Sequence, residues 1–130
     1  MPVIAIIFVG ALGACIGSFL NVVGMRTPRG ESSVGGRSRC PQCHNAIAWH
    51  DTVPIISWIV LRGRCRRCHE PISVRYPVGE TAGAAVFAGV ASAVRGIGPL
   101  VAGLIAGTAI IAIAQLVFGR QHDTYASRRD

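Results

Sequence analysis

Lysine is absent from this sequence, and charged residues of every kind are scarce. All 13 basic residues are Arg, and charged side chains make up 15% of the chain, whereas about 25% is usual for a soluble domain. Residues 1–25, 81–94 and 96–119 carry no charged side chain. This scarcity and segregation of charge exclude an ordinary soluble domain and indicate a membrane protein, in which long uncharged runs lie in lipid.

Two kinds of catalytic signal are also missing. No Gly-x-Gly-x-x-Gly follows a predicted strand, which excludes a Rossmann-type cofactor site. The only Asp residues are Asp51, Asp123 and Asp130, and none lies in an uncharged run. Since a catalytic carboxylate pair needs two adjacent acids that share a proton, this sequence by itself supplies no such pair.

Three apolar runs are long enough to cross a bilayer as helices. They are Val3–Met25, Pro77–Val94 and Leu100–Phe118. At 1.5 Å of rise per residue, about 20 residues cover the ~30 Å of hydrocarbon in a membrane. In the first run Gly10, Gly13 and Gly17 recur at helical spacing. This spacing predicts a face for close contact with another helix.

Four of the five cysteines form two C-x-x-C pairs between the first and second runs. The pairs are Cys40 with Cys43 and Cys65 with Cys68. A two-residue gap lets one tight turn direct both thiolates at one metal, and two such turns complete a closed, tetrahedral zinc site. Four thiolates leave a net charge of about −2 on a bound Zn²⁺. Arginines flank the pairs and offset this charge: Arg39, Arg64, Arg66 and Arg67.

Two alternatives to this ligand set remain at this stage. In an oxidising compartment the same cysteines would form two disulfides. His44 and His69 each directly follow a pair and are the nearest rival ligands. The choice between zinc and disulfides depends on which side of the membrane holds the segment.

The charge of the loop predicts its side of the membrane. Residues 26–76 contain nine Arg and three acids, a net charge of +6. The positive-inside rule places such a loop in the cytoplasm and the N-terminus outside. The reducing cytoplasm favours thiolates on zinc. The basic loop is expected to contact anionic membrane lipids rather than nucleic acid.

Several residues near the membrane have two interpretations. Glu80 is either an acid in the first turn of a helix, where the helix dipole stabilises its negative charge, or a functional carboxylate at the membrane edge. Trp49 and Trp58 suit either the membrane interface or the small core of the module. Ile55–Leu61 is too apolar for the module to bury, so we expect it against the membrane surface or the helices.

A set of motifs in the first 80 residues resembles a known family. The motifs are Gly17-Ser18-Phe19-Leu20-Asn21 with Arg26 and Pro28, Cys40-Pro41-x-Cys43, Trp49-x-Asp51-x-x-Pro54-x-x-Ser57-Trp58, Leu61-Arg62-Gly63-Arg64-Cys65 with Cys68, and Arg75-Tyr76-Pro77-x-x-Glu80. Together they resemble the N-terminal half of the type IV prepilin leader peptidases. The resemblance implies membrane enzymes of pilus assembly and type II secretion, which cleave and N-methylate prepilins. Asp51, Arg62, Arg75 and Glu80 lie in these motifs and are candidate functional residues.

The family's aspartic peptidase site lies in a C-terminal half that these 130 residues do not resemble. The first functional hypothesis is therefore the scaffold or substrate-docking half of a split peptidase, completed by a separate aspartic peptidase subunit. The second is a stand-alone prepilin N-methyltransferase that uses S-adenosylmethionine. The third is a non-enzymatic zinc membrane adaptor. Type IV pilin-like proteins are the substrates that the resemblance implies, and it assigns no catalytic residue here.

The expected fold is an α-helical membrane protein with three transmembrane helices and a zinc-ribbon module between the first and second. Residues 1–25 form the first transmembrane helix, 26–76 the cytoplasmic four-cysteine zinc module, 77–119 a transmembrane hairpin and 120–130 a basic tail. The expected location is the bacterial inner membrane, with the N-terminus outside and the C-terminus in the cytoplasm.

The predicted topology can be tested by cysteine labelling in intact cells. A membrane-impermeant thiol reagent should label Gly98→Cys and should not reach Ser38→Cys, because the 26–76 loop carries nine Arg and faces the cytoplasm. Permeabilised cells provide the control, in which Ser38→Cys should react. The opposite pattern in intact cells would reverse the topology and place the cysteine pairs in an oxidising space.

Overall fold

The computed structural model describes residues 1–27, 30, 38–40 and 42–126, with residues 118–126 described by their backbone alone. Four α-helices and one short 3-10 helix account for its regular structure. The α-helices are α1 (Val3–Arg26), α2 (Ile56–Val60), α3 (Arg75–Ala93) and α4 (Ile97–Ala126), and the 3-10 helix is Trp49–Thr52. Three long helices thus match the three apolar runs, and the segment with the cysteine pairs lies between α1 and α3.

The bounds of α3 and α4 differ from the sequence-based ranges. Helix α3 begins at Arg75 and α4 at Ile97, so Pro77 and Pro99 fall in the first turns, where a missing N–H breaks no helical hydrogen bond. Helix α4 continues to Ala126, into the segment predicted as a basic tail. The side chain of Arg120 and all of Arg128 and Arg129 lie outside the described residues, as does most of the connector 28–37.

Helices α1 and α4 are long and apolar enough to cross a membrane, over Val3–Arg26 and Ile97–Val117. Most of their large apolar side chains are exposed, including Phe8, Ile105 and Ile110. A soluble protein buries such surface, whereas lipid accepts it. These two helices indicate a membrane protein. Helix α3 is rich in Ala and Gly and is not one of these two candidate spans.

Glycines bring the backbones of α1 and α3 into direct contact. A Cβ added at Gly13 would collide with the Gly83 carbonyl and would lie 2.6 Å from the Phe87 Cβ. One added at Gly17 would collide with the Gly79 carbonyl, and one at Gly10 would lie 3.4 Å from the Ala88 Cβ. The predicted close-contact face of α1 is therefore confirmed, and α1 and α3 run antiparallel along it.

Helix α4 packs against both α1 and α3. A Cβ at Gly24 of α1 would lie 2.7 Å from the Gln115 carbonyl, and one at Gly107 would lie 2.7 Å from Val86. Phe87 and Ala91 of α3 are buried between the helices, with Ile111 of α4. The core of the three-helix bundle thus consists of a few apolar side chains surrounded by glycine contacts.

The contact between α1 and α3 predicts that replacing Gly13 with Ala destabilises the helix bundle far more than replacing Gly89. Gly13→Ala should destabilise the helix bundle by about 1–3 kcal/mol, the range for overpacking a tight core. Gly89→Ala is the matched control, because nothing lies within 4 Å of a Cβ added there. That change should be neutral or stabilise by up to about 1 kcal/mol through helix propensity. Reversible unfolding in mixed micelles measures both, and equal stability of the two variants would contradict this packing.

Candidate metal centre and its contact with the helices

The first cysteine pair lies in a compact turn closed by backbone hydrogen bonds. The N–H of Cys40 donates to the Asn45 carbonyl at 3.0 Å, and the N–H of His44 donates to the Cys40 carbonyl at 2.9 Å. An antiparallel bridge between Arg39 and Ala46 closes the turn. These bonds hold the chain in the reversal that points two thiols to the same side.

The second pair repeats this geometry bond for bond. The N–H of Cys65 donates to the Glu70 carbonyl at 2.8 Å, and the N–H of His69 donates to the Cys65 carbonyl at 3.0 Å. The corresponding bridge joins Arg64 and Pro71. The segment therefore contains two equivalent knuckles, as the two C-x-x-C pairs predict.

The two histidines have the same backbone role in both knuckles. His44 has φ 54° and His69 has φ 59°, the left-handed conformation in which the turn reverses. Both side chains are exposed. Among the described His, Cys, Asp and Glu residues, the group that could hold a metal consists of the four cysteines. The geometry thus favours the cysteines over the rival histidine ligands.

The four thiols converge at metal-binding distance. The Sγ atoms of Cys40, Cys43, Cys65 and Cys68 lie within 4.8 Å of one another. The Cys40 and Cys68 Sγ atoms are 3.7 Å apart, and the edge of a tetrahedron with metal–sulfur bonds of about 2.3 Å is about 3.8 Å. All four are free thiols. The cluster therefore fits a tetrahedral metal ion such as zinc.

The electrostatics of the cluster also favour a bound cation. Hydrogen bonds from the Asn45 side chain and backbone lower the pKa of Cys43 to about 6, and backbone N–H groups of Cys68 and Arg67 lower the pKa of Cys65. The backbone N–H of Glu70 also lowers the pKa of Cys68, but burial and the neighbouring thiols raise it to about 12. Crowded thiolates repel one another, so full deprotonation requires a cation between them.

Asp51 connects the 3-10 helix to the second knuckle. Its carboxylate accepts two hydrogen bonds from the Arg66 guanidinium, at 2.7 and 2.8 Å. The Arg66 hydrogen bonds lower the pKa of Asp51, and the side chain of Asp51 is 7% exposed. Bidentate pairs of this kind fix orientation as well as charge. Asp51 is thus a structural partner of the knuckle in this arrangement.

The two tryptophans of the segment have different surroundings. The Trp58 Nε1 donates to the Ile72 carbonyl at 3.3 Å. A Cβ added at Gly63, which has φ 65°, would lie 2.8 Å from the Trp58 ring. Trp58 therefore belongs to the small core of the module. Trp49 is 79% exposed, so the core interpretation is wrong for this residue.

Glu80 joins the cysteine segment to α3. It lies in the second turn of α3 and is 6% exposed, and its Oε2 accepts a hydrogen bond of 2.6 Å from the Ile55 N–H. No acid lies in the first turn of α3, so the helix-start interpretation of Glu80 is wrong. The carboxylate instead receives a backbone donor from a segment 25 residues away.

The donor lies in an unusual turn. Ile55 has φ 63° and ψ −52°, and the Ile56 N–H donates to the Pro54 carbonyl at 2.6 Å. This is a γ-turn with positive φ, a strained conformation that is rare for a β-branched residue. Such strain persists only where surrounding contacts hold it. At Ile55, the hydrogen bond from its N–H to the Glu80 carboxylate is such a contact.

Asn21 is a functional candidate that the sequence analysis named only within a motif. It lies in α1, is 2% exposed, and its Nδ2 donates to the carbonyls of Arg75 and Tyr76 at 3.2 and 3.3 Å. These bonds tie α1 to the first turn of α3. The sequence could have identified Asn21 because it is an amide side chain within an otherwise apolar run, and polar residues inside membrane spans are rarely without a role.

The remaining candidates do not gather into one site. Arg62 is exposed in the turn that follows α2, with φ 51°. Arg75 is half-buried at the first residue of α3, where its carbonyl accepts the Asn21 amide. Asp51 and Glu80 have different partners, as described above. The metal centre and the Glu80 contact are therefore two separate features of the structure.

Comparisons with known proteins show the family to which this part of the chain belongs. The sequence matches the family model described as Bacterial Peptidase A24 N-terminal domain over residues 11–94, more than half of the chain. That range includes the four clustered cysteines, Asn21 and Glu80. No solved structure matches the chain significantly.

Curated relatives match over the same part of the chain. A prepilin leader peptidase/N-methyltransferase of Myxococcus xanthus is 54% identical over 74 residues, covering 57% of this chain and 22% of that protein. One of Klebsiella pneumoniae is 43% identical over 81 residues, covering 58% and 36%. A type 4 prepilin-like proteins leader peptide-processing enzyme of Escherichia coli is 40% identical over 105 residues, covering 67% and 38%.

The chain thus spans less than two fifths of the length of each of these relatives. The predicted resemblance to the N-terminal part of the prepilin leader peptidases is confirmed, and the chain belongs to the bacterial A24 peptidase N-terminal domain family.

Proposed function

We propose that this chain is the scaffold or substrate-docking half of a split type IV prepilin peptidase, which acts in pilus assembly or type II secretion. The observation that carries the proposal is the family match over residues 11–94. The contacts of Asn21, which join α1 to α3, and of Glu80, which joins the cysteine segment to α3, support it. A separate aspartic peptidase subunit would supply the catalytic pair, and type IV pilin-like proteins would be the substrates.

Zinc is the metal that we propose for the cysteine cluster. Four thiolate ligands are typical of structural zinc sites, which are closed to solvent and substrates. The charge of Arg66 is paired with Asp51, so Arg64 and Arg67, which are exposed beside Cys65 and Cys68, would offset the excess negative charge of a four-thiolate site. Zinc would hold the two knuckles together, while Asp51 and Arg66 align the second knuckle with the 3-10 helix.

The proposed topology has three transmembrane helices in a bacterial inner membrane. Helix α3 has 19 residues, which gives about 28 Å at 1.5 Å per residue. Its close contact with α1 supports a common orientation across the membrane, because glycine faces of this kind join helices in lipid. The 26–76 segment would then form a cytoplasmic module, 77–119 the hairpin and 120–130 a cytoplasmic end.

N-methylation is the second candidate function. The names of the Myxococcus xanthus and Klebsiella pneumoniae relatives include N-methyltransferase, and this chain matches part of each. In that case the chain would bind S-adenosylmethionine and methylate the new N-terminus of a prepilin. Saturable binding of S-adenosylmethionine by the purified chain would favour this function over a docking role.

The zinc proposal predicts one zinc per chain, held by the cysteine cluster. Replacing Cys40, Cys43, Cys65 or Cys68 with Ser should abolish zinc retention and unfold the loop, because the binding free energy is also folding free energy. Cys15→Ser is the matched control, since Cys15 lies in α1 and is exposed. Elemental analysis measures the stoichiometry. Zinc that remains in Cys40→Ser and disappears in His44→Ala would contradict this ligand set.

The split-enzyme proposal predicts that the purified chain alone does not cleave a prepilin. Glu80 is the only acid in α3, and α1 and the Ile97–Val117 span of α4 have none, so the described spans supply no catalytic pair. Adding a membrane protein that carries the missing aspartates should restore cleavage, measured as the mass shift of a prepilin. Deleting the cysteine segment should then reduce it.

Two outcomes would contradict the split-enzyme proposal. Cleavage by the single chain that persists in Glu80→Gln would show that catalysis needs no second subunit. Failure of every aspartic partner to restore cleavage, with zinc-loaded and folded protein, would favour the methyltransferase or adaptor alternatives instead.

A further inference from the structure

Helix α2 exposes three of its four apolar side chains and buries its one polar side chain, while Trp58 packs in the small core of the module. Ile56, Ile59 and Val60 are 61%, 62% and 67% exposed, whereas Ser57 is 8% exposed. The Ser57 Oγ donates inward to the His50 carbonyl at 3.0 Å. A helix on the surface of a water-soluble module has the opposite polarity. An exposed apolar face of this kind needs an apolar environment.

The level of α2 along the helices follows from two contacts. The Ile55 N–H, just before α2, bonds to Glu80 at 2.6 Å, and a Cβ added at Gly17 would lie 3.3 Å from the Glu80 Cα. Gly17 lies nine residues before Arg26, the end of α1, or about 13 Å along the helix axis at 1.5 Å per residue. The start of α2 is therefore level with the apolar part of α1.

Other apolar side chains near the start of α3 are exposed as well. Val74, the residue before α3, and Val78 of α3 are 61% and 63% exposed, and they lie on a shallow, open apolar surface along the first half of α3. Exposed Arg62 and Arg64 lie within four residues of the end of α2. Apolar side chains beside arginines are typical of segments that insert into the boundary between acyl chains and anionic headgroups.

We propose that α2 is an interfacial membrane segment, with Ile56, Ile59 and Val60 inserted among lipid acyl chains beside α3. Lipid is favoured as the occupant because the face is level with the spanning part of α1 and is flanked by positive charge. The arginines would extend to the phosphate groups while α2 remains in the apolar boundary. The inference depends on α1 crossing the membrane and is independent of the catalytic role of the chain.

The test is site-specific photocrosslinking in the full chain. The photoreactive residue p-benzoylphenylalanine replaces Ile59 in one variant and the exposed knuckle residue Arg67 in a matched control. Each variant is illuminated in native membranes and, after purification, in vesicles of phosphatidylethanolamine and phosphatidylglycerol. Mass spectrometry of the chain then identifies lipid or protein adducts. One zinc per chain in each variant shows that the knuckles are folded.

Insertion of α2 predicts lipid adducts at Ile59 in both settings, at a yield several-fold above that at Arg67. Crosslinks from Ile59 to a protein in native membranes, in place of lipid, would overturn the inference by showing that a partner covers this face. A zinc-loaded Ile59 variant with no lipid adduct, or with no more than the Arg67 control, would overturn it by placing α2 in water. None of these outcomes depends on prepilin cleavage.

Discussion

The backbone contact between α1 and α3 is the constraint on which the rest of the structure depends. Gly13 lies against Gly83, and Gly17 lies against Gly79, so any side chain at these positions would separate the helices. That spacing lets the short Asn21 side chain reach the carbonyls at the start of α3. It also fixes the level of Glu80, and through Glu80 the level of the cysteine segment.

The cysteine segment has a second, independent source of order. Its two knuckles are closed by equivalent backbone bonds, and its four thiols converge on one point. The thiols need a cation to ionise together, whereas Asp51 and Arg66 need none to pair. Metal binding would therefore organise the knuckles, while the Glu80 bond determines where the organised segment lies relative to the helices.

The sequence predicted the features that follow from short, regular patterns. Apolar length predicted three helices, C-x-x-C spacing predicted the thiol cluster, and glycine spacing predicted the α1 face. It left two interpretations of Glu80 open, because the environment of that carboxylate depends on a γ-turn at Ile55 that no local pattern encodes. The sequence placed the side chains of α2 against the membrane or the helices. It did not predict that Ser57 is buried, because its partner, the His50 carbonyl, is brought near only by the fold.

The central claim is that the hydrogen bond between Glu80 and Ile55 fixes the cysteine segment to the helices. Amide hydrogen exchange of Ile55 in nanodiscs tests it most directly, because this N–H has a carboxylate partner at 2.6 Å. The account predicts a protected Ile55 amide in the native chain and loss of that protection in Glu80→Ala, with the knuckle amides of Cys40 and Cys65 still protected. Free exchange of Ile55 in the native chain, or unchanged protection in Glu80→Ala, would contradict it.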